Sequence, residues 1–221
     1  MVKVLVMPCK ALTDPEYQKR ACAFLSEERS AHAFSMKNES DRALSIGAGL
    51  LLAYGLLVWG NDLLDVSQIR LEPEEVLGRL EIFDERAKDN LTKRLITGKT
   101  EKGKPYFPWE GAPKFSISHS GDYAAVAYSD REVGLDIQRV QELKSPRIYD
   151  RVLHKSGKEK KEDFFFLWTA KEAYVKCTGE GLSGDFTNIY ADREGMCIED
   201  ALLYELAAPE GYFLIACVKS V

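Results

Sequence analysis

Apolar and polar positions divide the chain into short strand-like and longer helix-like stretches. Val2 to Met7 is apolar at every position but Lys3, which predicts a buried strand. Asp14 followed by Pro15 marks a helix start, and Tyr17, Ala21, Phe24 and Leu25 follow at i, i+4, i+7 and i+8. From Ala43 to Gly60 the chain runs 18 residues without a charge, as a helix for which Ser40 or Asp41 is the expected cap, with Arg42 in its first turn. That length reaches the lower limit for a membrane span. Four glycines and the lack of a flanking Lys/Arg cluster favour a helix buried inside the fold. Further on, Phe115 to Ser118, Tyr123 to Tyr128 and Val133 to Ile137 are β-prone runs that suggest an antiparallel meander. Phe164 to Cys177 predicts a helix ended by Gly179 and Gly181. Leu202 to Leu206 and Phe213 to Val218 predict strands about a turn at Pro209 to Gly211.

Between these groups, Asn61 to Lys104 mixes short apolar pieces with charge, and Gly103 to Pro113 (GKPYFPWEGAP) is a non-helical connector rich in proline and aromatic residues. The connector is the natural boundary, giving halves at 1–110 and 111–221 that both mix strands with helices. No residue-level repeat or low-complexity tract accompanies them.

Composition narrows the class. With 221 residues, 45% hydrophobic and 29% charged, the chain buries a substantial core. A formal charge of -5 gives no chain-wide basic footprint, so nucleic acid is not an expected partner and any anion site is local. Cys9, Cys22, Cys177, Cys197 and Cys217 are scattered and never spaced C-x-x-C, which argues against a disulfide framework or a structural zinc site and favours a reducing cytoplasm. Residues 1–7 are too short an apolar stretch for a signal peptide.

Three clusters carry candidate chemistry. In VGLDIQRV, Asp136 and Gln138 share one strand face, and two oxygen donors there suit a hard cation such as Mg2+; an ordinary surface pair of Asp136 with Arg139 or Arg131 is the alternative. In WTAKEAYVK, Phe164, Trp168, Glu172 and Lys176 form one helical stripe, with Lys171 about 100 degrees away. An i, i+4 Glu–Lys pair is commonly a surface stabiliser, but the two aromatics lead this one toward a partly buried place. In FSISHSG, His119 lies between Ser118 and Ser120 near a strand end, where donors can converge on a phosphate, and Lys104 adds a cation upstream. A metal pair with phosphate donors fits Mg2+-dependent phosphoryl-type transfer.

Taken together, GKPYFP (103–108), FSISHSG (115–121), VGLDI (133–137) and FFFLWTAKEAYVKCTGEGL (164–182), in this order and spacing, resemble the motif blocks of Sfp-type 4'-phosphopantetheinyl transferases. The resemblance implies an α+β monomer of two similar halves related by a pseudo-two-fold, with coenzyme A in the cleft between them and the apolar helix in the core. It implies transfer of the phosphopantetheine arm to a serine of an apo acyl or peptidyl carrier protein, with release of 3',5'-ADP. Asp136, Gln138 and Glu172 are then the expected Mg2+ site, and Glu172 and Lys176 the catalytic pair, Glu172 as general base. Arg42, Lys104, Pro105, Ser118, His119, Lys171 and Lys176 are the expected coenzyme A contacts.

Two departures from the family pattern stand out. Gln138 replaces the Glu that many members carry two residues after the metal-binding Asp, which predicts weaker Mg2+ binding or a water in that place. After the first helix the chain reads SEERS (26–30) where the family tends to be basic, leaving Arg29 and Arg42 for the 3'-phosphate. Alternative readings are a catalytically weakened coenzyme A or carrier-protein binding module and a Mg2+-dependent phosphohydrolase. Carrier proteins are usually acidic, so a net-acidic enzyme needs a local basic patch, for which the 147–161 stretch with Lys155, Lys158, Lys160 and Lys161 is the candidate.

Overall fold

Period-two alternation organises two sheets, and the helices cover their outer faces. The computed structural model describes residues 1–60, 66–143, 145–181 and 186–220. Residues 61–65 of the mixed stretch, Leu182 at the end of the fourth motif block and Val221 lie outside it. In chain order the elements are β1 (Val2–Pro8), α1 (Pro15–Cys22), α2 (Glu27–Ser35), α3 (Glu39–Val58), β2 (Val66–Arg70), α4 (Pro73–Glu81), α5 (Glu85–Arg94), β3 (Gly98–Lys99), β4 (Pro105–Tyr106), β5 (Lys114–Ser120), β6 (Tyr123–Ser129), β7 (Val133–Arg139), α6 (Tyr149–Val152), α7 (Phe164–Thr178), β8 (Ala191–Asp192), β9 (Cys197–Ile198), β10 (Ala201–Glu205) and β11 (Tyr212–Lys219). The fold is mixed α+β, as expected.

One large sheet has the order β2-β1-β6-β5, the other β7-β11-β10-β9-β8, and β3 and β4 pair separately as a small antiparallel ribbon. Between them lies a dry core of Val2, Val4, Val6, Ala125, Ala127, Val133, Leu135, Ile137, Leu214, Ala216 and Val218. The alternate residues of β1 and β6, among them Leu5, Met7, Val126 and Tyr128, face the helical layer instead. On the second sheet Ile215 and Cys217 face α7. The layers therefore run helices, sheet, sheet, helix.

The predicted meander is corrected. β5 and β6 form the hairpin, but β7 pairs with β11 and belongs to the other sheet. Its free edge is met by side chains: the hydroxyls of Ser116, Ser118 and Ser120 accept from the backbone N–H groups of Leu135, Ile137 and Arg139 at 3.0, 3.2 and 3.0 Å. A row of hydroxyls thus supplies acceptors that a neighbouring strand would otherwise provide.

The apolar helix α3 passes the length and hydropathy test for a membrane span, yet it is buried over most of its length beneath the first sheet. The Tyr128 hydroxyl donates to the Leu52 carbonyl at 2.6 Å and fixes it there. The cap differs from expectation. Asn38 caps this helix, its side chain accepting from the N–H groups of Ser40 and Asp41, so the helix begins before either expected residue. Asp14 caps α1 as expected, with Pro15 in the first turn.

Candidate active site

Two features bring α7 onto β7. The face of β7 that carries Asp136 also carries Gly134, and there a side chain would collide with the backbone of Ala173 and Cys177. Glycine lets the helix backbone rest directly on the strand. At its far end α7 stops at Gly179, in the left-handed conformation (φ 72), where the N–H donates to the Val175 carbonyl. The Lys104 ammonium donates to the Cys177 carbonyl at 2.6 Å and to Glu132 at 2.6 Å, placing a cation at the negative end of the helix.

Close packing joins the second and third motif blocks to the fourth. Lys176 Nζ donates to Asp136 Oδ1 at 2.6 Å and to Ser118 Oγ at 3.1 Å, while Ser118 Oγ donates to Asp136 Oδ1 at 2.7 Å. Asp136 is buried and paired with Lys176, so the alternative of an exposed pair with Arg131 or Arg139 does not apply. Its second oxygen, Oδ2, is buried without a hydrogen-bond partner among the described residues. Glu172, one turn before Lys176, is pushed up to about 7 by burial and then by the Asp136 charge, with Lys176 opposing. Gln138 is half-buried at the end of the strand, and its amide nitrogen donates to the Arg139 carbonyl at 3.1 Å. Among the described residues, no group of three or more His, Cys, Asp or Glu side chains converges.

Two cavities open beside this cluster. One, of about 290 Å³, is lined by the Lys104 stem, Pro105, Phe115, Val175, Lys176 and Gly179. The other, of about 460 Å³, gathers Arg29, His32, Lys99 and His119. Gly103, Pro105 and Ile117 line both, so the two are contiguous. His119 is held below its ordinary value by burial and then by the Lys176 charge.

The expected site residues therefore separate into groups. Asp136, Glu172, Lys176 and Ser118 cluster, Gln138 stands at the rim, and His119 and Pro105 line the adjoining cavities. Lys104 contributes its aliphatic stem to the cavity while its ammonium is held by Glu132 and Cys177. Lys171 is corrected. It is fully buried on a different face of the helix, donating to Glu159 and to the Val152 carbonyl, both at 2.7 Å. Glu159 in turn accepts from the His154 and Ala191 N–H groups, so the pair pins the preceding loop and β8 to α7 and is closed to a ligand. Arg42 likewise donates to the Met36 carbonyl at 2.9 Å, against the Phe34 ring, and braces the turn between α2 and α3. Sequence reasoning did not single out His32 and Lys99. The i, i+3 spacing of Arg29 and His32 on α2 was a usable signal for the former; Lys99 had none.

Comparison with known proteins agrees with the motif blocks. Residues 132–197 match the sequence profile of the 4'-phosphopantetheinyl transferase superfamily. The 4'-phosphopantetheinyl transferase gsp of Aneurinibacillus migulanus is 28% identical over 142 residues, covering 57% of this chain and 59% of the relative. The transferase psf-1 of Bacillus pumilus is 34% identical over 102 residues (42% and 44%), and Sfp of Bacillus subtilis strain 168 is 33% identical over 91 residues (38% and 41%). The matches span about half the length of these relatives. The resemblance to the family thus holds: this chain is similar to the Sfp-type 4'-phosphopantetheinyl transferases, and the superfamily match covers the third and fourth motif blocks, with both Asp136 and the Glu172–Lys176 helix.

Proposed function

We propose that this protein transfers the 4'-phosphopantetheine arm of coenzyme A to a serine of an apo acyl or peptidyl carrier protein and releases 3',5'-ADP. The observation that carries the reading is the Asp136–Glu172–Lys176 cluster beside two contiguous cavities, the larger lined by the Arg29 and Lys99 cations and by His32 and His119, with Glu28 at the same wall. An elongated nucleotide with phosphates at both ends of its ribose suits that shape and charge. The adenine side would lie against Pro105 and the Lys104 stem, and the 3'-phosphate near Arg29, His32 and Lys99. The pyrophosphate would lie between His119 and Lys176.

The donor set fits a divalent cation, because the buried Asp136 Oδ2 lacks a partner and Glu172 is close enough to feel the Asp136 charge. Asp136 and Glu172 would hold Mg2+, with the Gln138 amide oxygen or a water beside them. Bound there, Mg2+ offsets negative charge on the pyrophosphate. Lys176 adds a fixed positive charge at the same oxygens. The carrier serine oxygen attacks the phosphorus that bears the pantetheine arm, a new P–O bond forms, and the bond to the bridging oxygen breaks, leaving 3',5'-ADP. Glu172 takes the serine proton directly or through a water.

The carrier would dock along the surface of 147–161, where Lys161 lies over the Tyr149 ring and Lys158 over Tyr190. Action as a monomer in a reducing cytoplasm completes the reading, consistent with all five cysteines being free. Intact-mass spectrometry of an apo carrier with coenzyme A, Mg2+ and the protein tests it. One added phosphopantetheine arm, absent with Glu172→Ala or Asp136→Ala, is expected. No gain on several carriers while coenzyme A still binds would refute transfer and leave a binding module.

A further inference from the structure

Ser118 sits where a phosphate-binding hydroxyl is expected, but its valences are already taken. A serine hydroxyl has one proton to donate and two lone pairs to accept with. Here the proton goes to Asp136 Oδ1 (2.7 Å), and the lone pairs accept from the Ile137 N–H (3.2 Å) and from Lys176 Nζ (3.1 Å). The residue is buried, and it contacts the strand that carries the candidate metal ligand as well as the side chain of the candidate catalytic lysine. Both Ser118 and Lys176 bind the same carboxylate oxygen, which leaves Oδ2 as the orphan. One hydroxyl therefore fixes which Asp136 oxygen is free and where Lys176 ends.

We infer that Ser118 is a positioning residue that aims Asp136 Oδ2 at a divalent cation and holds Lys176 beside it, and that its hydroxyl makes no contact with a ligand phosphate. This rests on the proposed function, since it concerns the same cation site. Outer-shell partners of metal-binding carboxylates commonly govern affinity by about 10–100-fold.

Mn2+ serves as the probe, followed by the electron paramagnetic resonance signal of the free ion, with coenzyme A present and no carrier, so that nothing turns over. Ser118→Ala is expected to weaken Mn2+ binding at least about tenfold. The metal-free dissociation constant for coenzyme A should stay within about twofold, the direct phosphate bond of about tenfold worth being absent. Ser118→Thr, which keeps a hydroxyl, should retain most of the Mn2+ affinity. Ser120→Ala removes the equivalent bond to the Arg139 N–H without touching Asp136, so it controls for damage to the strand seam and should leave Mn2+ affinity unchanged. Unchanged Mn2+ affinity in Ser118→Ala, or a tenfold weaker coenzyme A affinity without metal, would overturn the inference while leaving the transferase reading intact. Equal Mn2+ loss in Ser118→Ala, Ser118→Thr and Ser120→Ala would overturn it as well. Failure of the unsubstituted protein to bind Mn2+ would remove the cation site and this role together.

Discussion

Substituting Gly134 by alanine puts a single methyl group at the closest approach of α7 and β7. An ideal Cβ at this position would lie 1.8 Å from the Ala173 carbonyl oxygen and 2.4 Å from the Cys177 nitrogen, whereas real Cβ contacts are essentially never under 3.0 Å. Both obstacles are helix backbone, which no rotamer change can move aside. The helix must therefore retreat by about 1.2 Å, since the strand is tied to β11 on one edge and to the serine row on the other. The same displacement applied to Lys176 would take its 2.6 Å contact with Asp136 beyond hydrogen-bonding range. Overpacking of this kind costs about 1–3 kcal/mol of stability. Misplacing reacting groups by about 1 Å costs roughly 10²-fold in rate. Initial rates of carrier modification at saturating coenzyme A, read by intact mass, should show a kcat loss of that order together with a lower Tm. The KM for coenzyme A should change less than kcat, because Arg29, His32, Lys99 and His119 lie on other elements. A Gly134→Ala protein with undiminished kcat and unchanged Tm would refute the argument that glycine sets the helix–strand distance.

Further predictions follow from the same geometry. Arg29→Ala and Lys99→Ala should each raise the KM for coenzyme A about 10-fold or more, the worth of a charged hydrogen bond, yet leave the KM for coenzyme A lacking its 3'-phosphate nearly unchanged; equal losses with both nucleotides would place that phosphate elsewhere. In chelator, the raised Glu172 pKa means that the fold prefers the protonated form. The stability this contributes is full below the ordinary 4.5 and is lost as pH climbs through about 7, and Glu172→Gln should flatten that slope in a series of Tm values from pH 4 to 8. Lys171→Met should cost about 3–5 kcal/mol in urea unfolding by stranding the buried Glu159, and adding Glu159→Gln should restore part of it.

What was legible in the sequence was what local pattern determines. The strands at Val2–Pro8, Tyr123–Ser129 and Tyr212–Lys219 announce themselves as nearly unbroken apolar runs, and α7 by its aromatic stripe and terminal glycine. The Glu172–Lys176 stripe led inward as its neighbours Phe164 and Trp168 required. Partnership across the chain was not legible. Lys171 and Lys176 are both lysines of one helix. Only Glu159, brought in by a loop, and Asp136, on a strand of the other motif, decide that the first is sealed in and the second faces the site. The serine row reads in sequence as the polar face of an ordinary strand, because the unpaired N–H groups it serves belong to an edge that exists only once both sheets are built. At α3, three residues able to cap follow within four positions, and Asn38 prevails.

The strand order of the first sheet has a consequence for how the chain comes into being. β1 is an inner strand whose antiparallel neighbour, β6, is made only after the proline-rich connector, more than a hundred residues later. Until that hairpin emerges during synthesis, one flank of β1 offers open backbone groups along an almost wholly apolar segment, the kind of edge that recruits foreign strands. Its far face also stays uncovered until β7 and β11 arrive. A nascent chain stalled at the connector would therefore depend on holding factors, and fragments cut there should rejoin as complementing pieces more readily than either survives alone.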